Sequence, residues 1–290
     1  MFSDEKMILD IRLNELDEYV DHFVIVESKY KHNGDVKNKN FDIDQFSKFK
    51  NKITYIYLDG EPKGLISTNI KNDEDKKNRI SMHNTYLREN YQRDMIRDGI
   101  SEANKKDFII IGDIDEIPNL KNLNFEEKEN ELFIFKQKMF YYKLNLYYKM
   151  PWYGSRACRK KYFKSAKWLQ WIKNKKYPLW RLDILFSKQK YNDINFVANG
   201  GWHFTNIKSP ENIEKKLKSF VHHKDFESSG LNVEDLKRLI NEKRIMYNHN
   251  IDKKKNKWSG GEKLQALKLE EMPKYVIDNY KIYKPWLDNV

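Results

Sequence analysis

Short apolar runs, separated by long polar stretches, set the pattern of this 290-residue chain. The acidic stretch from Ile11 to Tyr19 carries Leu13 and Leu16 on one side and predicts a helix. The run Phe23-Val24-Ile25-Val26, closed by Glu27-Ser28, is short and β-branched and predicts a strand. Residues 29–50 are polar and rich in Lys and Asn and read as a loop over the end of that strand. Ile53 to Leu58 predicts a second strand, stopped by the turn signal Asp59-Gly60, and residues 61–79 read as loop. From Ile80 to about Ala103 a helix is predicted, with Met82, Tyr86, Leu87, Met95, Ile96 and Ile100 near a 3.6-residue repeat. Phe108-Ile109-Ile110-Ile111 is apolar throughout, the pattern of a strand covered on both faces in a parallel sheet. Strand, strand, helix, strand predicts an α/β fold with a mostly parallel central sheet flanked by helices.

After Pro118 the pattern changes. Leu132 to Tyr148 is a long aromatic stretch that predicts strands or a hairpin, and Trp180 to Phe186 has strand character. One helix is predicted to open at Ser209-Pro210-Glu211 and to carry Ile213, Leu217 and Phe220. Another opens at Asn232, with Asp235 three residues on, and carries Leu236, Leu239 and Ile240. Asp252 to Lys257 reads as a solvated basic linker, and Pro273 to Leu287 returns to aromatic, packing-competent sequence.

Composition narrows the picture. A chain with 14% aromatic residues folds, even at 39% apolar content. The single cysteine, Cys158, excludes an internal disulfide and a Cys-based zinc site. The first residues are acidic where a signal peptide would be apolar, and no apolar run approaches the ~20 residues that cross a bilayer, so the expectation is a soluble, cytoplasmic protein. The net charge of +12 suits an anionic partner: nucleic acid, an acidic membrane surface or a phosphorylated small molecule. A Lys-, Asn- and Ile-rich composition accounts for that charge equally well.

The strongest local signal is an apolar strand that runs directly into acids: Phe108 to Ile111, then Gly112-Asp113-Ile114-Asp115-Glu116-Ile117-Pro118. Ligands of open α/β sheets bind at the carboxyl ends of strands, and alternation places Asp113 and Asp115 on one side of an extended chain. Two such carboxylates suit a hard divalent cation, Mg²⁺ or Mn²⁺, that bridges to phosphate oxygens. A solvated acidic turn explains a bare Asp-X-Asp as well. In Gly200-Gly201-Trp202-His203-Phe204, His203 is read either as a core histidine bonded to backbone or as a distant metal ligand completing the Asp pair. His222 and His223 are adjacent, so at most one of them could join a given site.

Several of these segments, in order, resemble glycosyltransferase family 17, the β-1,4-N-acetylglucosaminyltransferases. They are Ile8 to Leu16, Phe23 to Ser28, Gln92-Arg93-Asp94, Asp113 to Pro118, Gly201-Trp202-His203 and Pro273 to Tyr280. The resemblance implies a GT-A (nucleotide-diphospho-sugar transferase) fold, a UDP-sugar donor such as UDP-GlcNAc, a glycan acceptor, Mn²⁺ or Mg²⁺, and inversion at the anomeric carbon. It implies that Asp113, Asp115 and His203 hold the metal, with Glu27, Arg93, Asp94 and Asp113 about the donor. On this reading residues 1–290 form a single catalytic domain: a nucleotide-binding half at 1–118, an acceptor-side half at 119–250, and an extension at 251–290 that packs back. Residues 140–195 depart most from the family pattern, which leaves the acceptor open. Glu116 is the nearest candidate for the base that deprotonates the acceptor, and Asp183 is another. Arg156, Arg159 and Lys160 are read as phosphate contacts or as solvated surface. No nucleic-acid partner is expected, and the basic surface admits peripheral membrane contact. The alternatives are a basic nucleic-acid-binding protein, which gives the acids no role, and a metal-dependent nucleotidyltransferase, which would consume a nucleoside triphosphate.

Overall fold

The computed structural model describes residues 1–70, 73–125, 131–178, 180–218, 223–248, 257–258 and 261–289. Helix α1 (Lys6–Leu16) buries Ile8, Leu9, Ile11, Leu13 and Leu16. Strands β1 (Phe23–Ser28) and β2 (Ile53–Leu58) pair in parallel, Phe23 opposite Ile53 through Ser28 opposite Leu58. The polar stretch between them is more than a loop. Phe46 and Phe49 are buried in a 3₁₀ segment at Ile43–Lys52, and Phe41 stacks on Phe46 and Tyr55. A few aromatic anchors among lysines are enough to seat it.

Helix α2 (Glu74–Asp94) begins earlier than the apolar repeat suggested, because Asp73 caps it by accepting from the backbone N–H of Lys76. It tightens into a 3₁₀ turn, Met95–Ile100, which packs on β1 and β2, and does not run on to Ala103. Strand β3 (Phe108–Ile111) follows, and a tight turn leads to β4 (Glu116–Pro118). The aromatic stretch is a hairpin of β5 (Leu132–Tyr141) and β6 (Leu146–Arg159), as its pattern predicted. Helix α3 (Ala166–Gln170) precedes β7 (Ile194–Val197) and β8 (Gly201–Thr205).

These strands form one sheet in the order β3-β6-β5-β8-β4. Strand β7 pairs with the first half of β5, and β9 (Gln265–Ala266) pairs with β6. The expected mostly parallel sheet is corrected here to a mixed one. Strand β5 runs parallel to β7 and β8, whereas β3–β6, β5–β6, β4–β8 and β6–β9 are antiparallel. The all-apolar run at β3 reported cover on both faces, which does not depend on strand direction. Direction is imposed by the long β5–β6 hairpin at the centre of the sheet.

Helices α4 (Pro210–Leu217), α5 (His223–Ser229) and α6 (Val233–Asn241) follow the sheet. Ser209 caps α4, and Asn232 with Asp235 forms a complete capping box on α6, both where the sequence placed them. Ile213, Leu236 and Leu239 pack with Met139, Tyr141, Tyr142 and Tyr148 of the hairpin. Phe220 and residues 252–256 of the expected basic linker lie outside the described residues. Near the C-terminus, α7 (Lys274–Asp278) and α8 (Tyr280–Tyr283) lie on α1: the Tyr275 N–H donates to Glu15 and the Tyr283 hydroxyl to Asp10. The stretch Trp180–Phe186 is not a strand. It holds a 3₁₀ turn, Leu182–Ile184, and several of its apolar side chains face solvent.

Strand β8 joins β4 to the hairpin, and its first residue is held in a conformation that favours glycine. Gly201 has φ of 116°, and a Cβ there would collide with the Ile117 carbonyl and come within 2.6 Å of the Asn119 nitrogen. Gly201→Ala is therefore expected to destabilise the protein by roughly 2–4 kcal/mol through strain and displacement of β4. Thermal unfolding measures this; an unchanged melting temperature would show that β4 and β8 are not seated as described.

Candidate active site

The acidic segment leaves β3, turns, and re-enters the sheet as β4. The turn closes through the Glu116 N–H donating to the Asp113 carbonyl at 3.0 Å. From the other side, the Asp113 N–H donates to Glu116 Oε2 at 3.0 Å. Glu116 is 1% exposed, and its second oxygen, Oε1, accepts from Trp152 Nε1 of β6 at 2.7 Å. Ser155 Oγ donates to the Glu116 carbonyl, and Arg12 of α1 donates to the carbonyls of Asp113 and Glu116. The buried Glu116 is thereby met at both carboxylate oxygens and at its carbonyl, as burial demands.

Pairing of β4 with β8 sets Glu116 opposite His203. The Phe204 N–H donates to the Asp115 carbonyl at 2.8 Å, which clamps Asp115 beside the same strand. The side chains then meet: His203 Nε2 lies 3.7 Å from Asp115 Oδ1 and 3.4 Å from Thr205 Oγ1. Trp152 stacks on the His203 ring, with centroids 4.6 Å apart and planes at 21°. His203 Nδ1 is buried without a hydrogen-bond partner, so no backbone contact of the kind expected for a core histidine holds it. Burial lowers the pKa of His203 and favours the neutral ring, the form that binds metals.

Cations surround the acids. Arg93 of α2 is 4% exposed and sits 3.0 Å from Asp113 Oδ1 and 3.1 Å from Glu89. Burial acts to raise the Asp113 pKa, but the Arg93 guanidinium more than reverses this and holds it at about 2. Lys216 Nζ of α4 lies 3.9 Å from Asp115 Oδ2 and 3.8 Å from Glu5. Glu116 goes the other way: burial, then the neighbouring Asp113 charge, push it up to about 7. A cleft of about 320 Å³ opens beside this group, lined in part by Glu5, Asp115, Phe204, Asn212 and Lys216.

The residues singled out in the sequence are distributed unevenly. Asp113, Asp115, Glu116, Arg93 and His203 come together. Glu27 is fully buried, but its carboxylate is taken by the N–H groups of Asn40 (2.8 Å) and Phe41 (2.9 Å), the Tyr55 hydroxyl and Lys37, so it holds the loop after β1. Asp94 accepts from the Lys167 N–H at the start of α3. Asp183 lies on the exposed turn between β6 and β7, paired with Arg181 at 2.8 Å and Lys190 at 2.6 Å. The side chains of His222 and His223 lie outside the described residues. The sequence reading did not single out Arg12 and Lys216 for the site. Arg156, left open between phosphate contact and solvated surface, is 5% exposed. It bonds Asn174 at 2.7 Å, while its Nε and Nη1 have no partner. Arg12 and Lys216 reach the acidic turn only through contacts made across the fold.

A mixed α/β scaffold thus gathers carboxylates, an imidazole and cations at a strand end, beside a cleft. The chain belongs to glycosyltransferase family 17, whose family model matches residues 1–287, and it is therefore a glycosyltransferase. No curated protein and no solved structure matches it.

The raised Glu116 pKa has a consequence for stability. Its ordinary value is 4.5, so between about pH 4.5 and 7 the folded chain keeps a proton that the unfolded chain releases. Stability from this group therefore falls as pH rises through that window. Glu116→Gln removes the ionisation, although one amide oxygen can accept from only one of the two N–H groups. The variant should be more stable than the parent at pH 8 by on the order of 1–3 kcal/mol, and the gap should close near pH 4.5. Urea unfolding at the two pH values, with a chelator present, measures the difference. A variant less stable than the parent at pH 8 would show that the ionised carboxylate holds the turn.

Proposed function

We propose that the protein transfers a sugar from a nucleotide-diphosphate donor, UDP-GlcNAc or a close relative, to a glycan hydroxyl with inversion, using a divalent cation. The observation that carries this reading is the pairing of Asp115, which lines the cleft, with His203. Their 3.7 Å separation suits two ligands of one Mn²⁺ or Mg²⁺ ion, each at about 2.1 Å. The donor set is lean. Asp113 is bonded to Arg93, and among the described residues no group of three or more His, Cys, Asp or Glu side chains is gathered to hold a metal. Such ions commonly take one or two protein ligands and complete their shell with substrate phosphate and water, so the pair fits the group. When bound, the ion would neutralise charge on the departing diphosphate.

The protein's own residues supply the rest. Half-buried Lys216 and the unpartnered nitrogens of buried Arg156 supply positive charge for phosphate oxygens. Arg93 keeps Asp113 ionised and in place. Glu116 acts as a positioning residue under the turn: it is 1% exposed, which leaves an acceptor hydroxyl no approach, and its oxygens hold the Asp113 and Trp152 N–H groups. Asp183 is held by two cations on an exposed turn, so the base that takes the acceptor proton is assigned to neither. Membership of a sugar-transferase family favours this reading over nucleotidyl transfer and over a nucleic-acid-binding module.

Purified protein should hydrolyse or transfer from a UDP-sugar only when Mn²⁺ or Mg²⁺ is added. Asp115→Ala should lower the rate by about 10³-fold or more at unchanged melting temperature, and His203→Ala by about 10–100-fold. Full activity in chelator, or in the Asp115 variant, would remove the metal role.

A further inference from the structure

The turn between β6 and β7 carries a second surface that sugar transfer does not account for. Four of its apolar side chains stand in solvent: Trp180 is 79% exposed, Leu182 72%, Leu185 77% and Phe186 89%. They lie within seven residues of one another on the short turn around Leu182–Ile184. Bulky apolar groups this exposed and this close together mark an interaction site. Their surroundings say what kind. Between residues 171 and 190 the sequence has six lysines and arginines and one carboxylate, Asp183. That carboxylate is already paired with Arg181 and Lys190. Lys173, Lys175, Lys176 and Lys188 are exposed. Trp171, 48% exposed, adds an amphipathic ring, with Lys167 over its face at 4.6 Å.

We infer that this turn docks the enzyme on an anionic lipid bilayer, with Trp180, Leu182, Leu185 and Phe186 entering the headgroup–acyl boundary and the surrounding lysines meeting lipid phosphates. Apolar side chains projecting from a basic rim are the two complementary parts of interfacial membrane binding. The exposed lysines offer positive charge spread around the turn, and the one carboxylate among them, Asp183, is already paired, which matches a continuous anionic headgroup layer better than a partner read by single ion pairs. The turn is also tied to the active site: Arg156, one residue beyond the Ser155 that bonds the Glu116 carbonyl, donates to Asn174 at the start of the same loop. Docking through this turn would hold the carboxylate cluster near the bilayer surface. No helix among the described residues is long and apolar enough to cross a membrane, so contact of this kind is peripheral.

Co-sedimentation of the full chain with vesicles tests the inference independently of any sugar-transfer assay. One set of vesicles is pure phosphatidylcholine, and the other adds about 30% phosphatidylglycerol, the scale of charge to which basic segments respond. Binding is expected to the anionic set alone and to weaken as salt is raised. The Trp180→Ser/Phe186→Ser variant should lose about tenfold or more in vesicle affinity. Both side chains are exposed, so its melting temperature should not move. Absence of binding to anionic vesicles overturns the inference. Unchanged binding by the double variant also overturns it, by assigning the contact to the general basic surface. So does a self-association of the parent that the double variant abolishes without any vesicle binding, because the patch would then be a protein interface.

Discussion

Glu116 carries the arrangement of the candidate site, because it must be buried and because burying a carboxylate is tolerated only when donors meet it. One oxygen takes the Asp113 N–H and so fixes the acidic turn; the other takes Trp152 Nε1 and so fixes the indole. That indole is the plane on which His203 stacks. A single carboxylate thus sets the relation between three strands, β4, β6 and β8, and between the two side chains, Asp115 and His203, that face each other. Burial, then the Asp113 charge, push its pKa up to about 7, so enclosure disfavours its ionised form.

The electrostatics follow from the same enclosure. The overall charge of +12 says little about the acids, since most lysines are spread over solvent-exposed surface. Local balance matters more. Arg12, Arg93, Arg156 and Lys216 are drawn from α1, α2, β6 and α4, and each acts on the Asp113–Glu116 turn or its side chains. In a poorly solvated pocket these cations act at close range with weak screening, which is why Asp113 stays ionised beside a carboxyl that resists ionisation. Environments that push neighbouring carboxyl groups apart are characteristic of functional sites.

Local signals were read well where local physics decides. β2 ends where its apolar run ends, β1 starts where its run starts, the caps at Ser209 and Asn232 open α4 and α6, and the aromatic stretch forms a hairpin. Strand direction was not legible, because apolar cover at β3 is the same in parallel and antiparallel neighbours. Nor was the strand at Trp180–Phe186 real: alternation there does not reflect one buried face, since four of its side chains are exposed. In the site, the acids and His203 were visible from spacing and family resemblance. The same reading could not separate Asp115, beside the cleft, from Glu116, beneath it. That difference is set by which neighbour's N–H each one meets, and Trp152, 36 residues on, has no signature that pairs it with Glu116.

The aromatic content bears on this last point. Read as composition, 14% aromatic residues meant only that the chain can bury enough surface to fold. In the structure these residues divide. Phe133, Phe135, Phe140, Tyr148 and Phe204 are buried along the hairpin and β8, while Trp180 and Phe186 stand in water on one basic turn. A core this well supplied has no need of the exposed pair, and leaving it in solvent carries an aggregation cost that a solvated loop would avoid. Arg156, whose backbone sits in β6 opposite Ile111 and whose guanidinium reaches Asn174, connects that turn to the strand on which the acidic cluster is built. The same β6 strand therefore borders both the Asp113–Glu116 turn, through Trp152 and Ser155, and the loop that leads to Trp180, through Arg156.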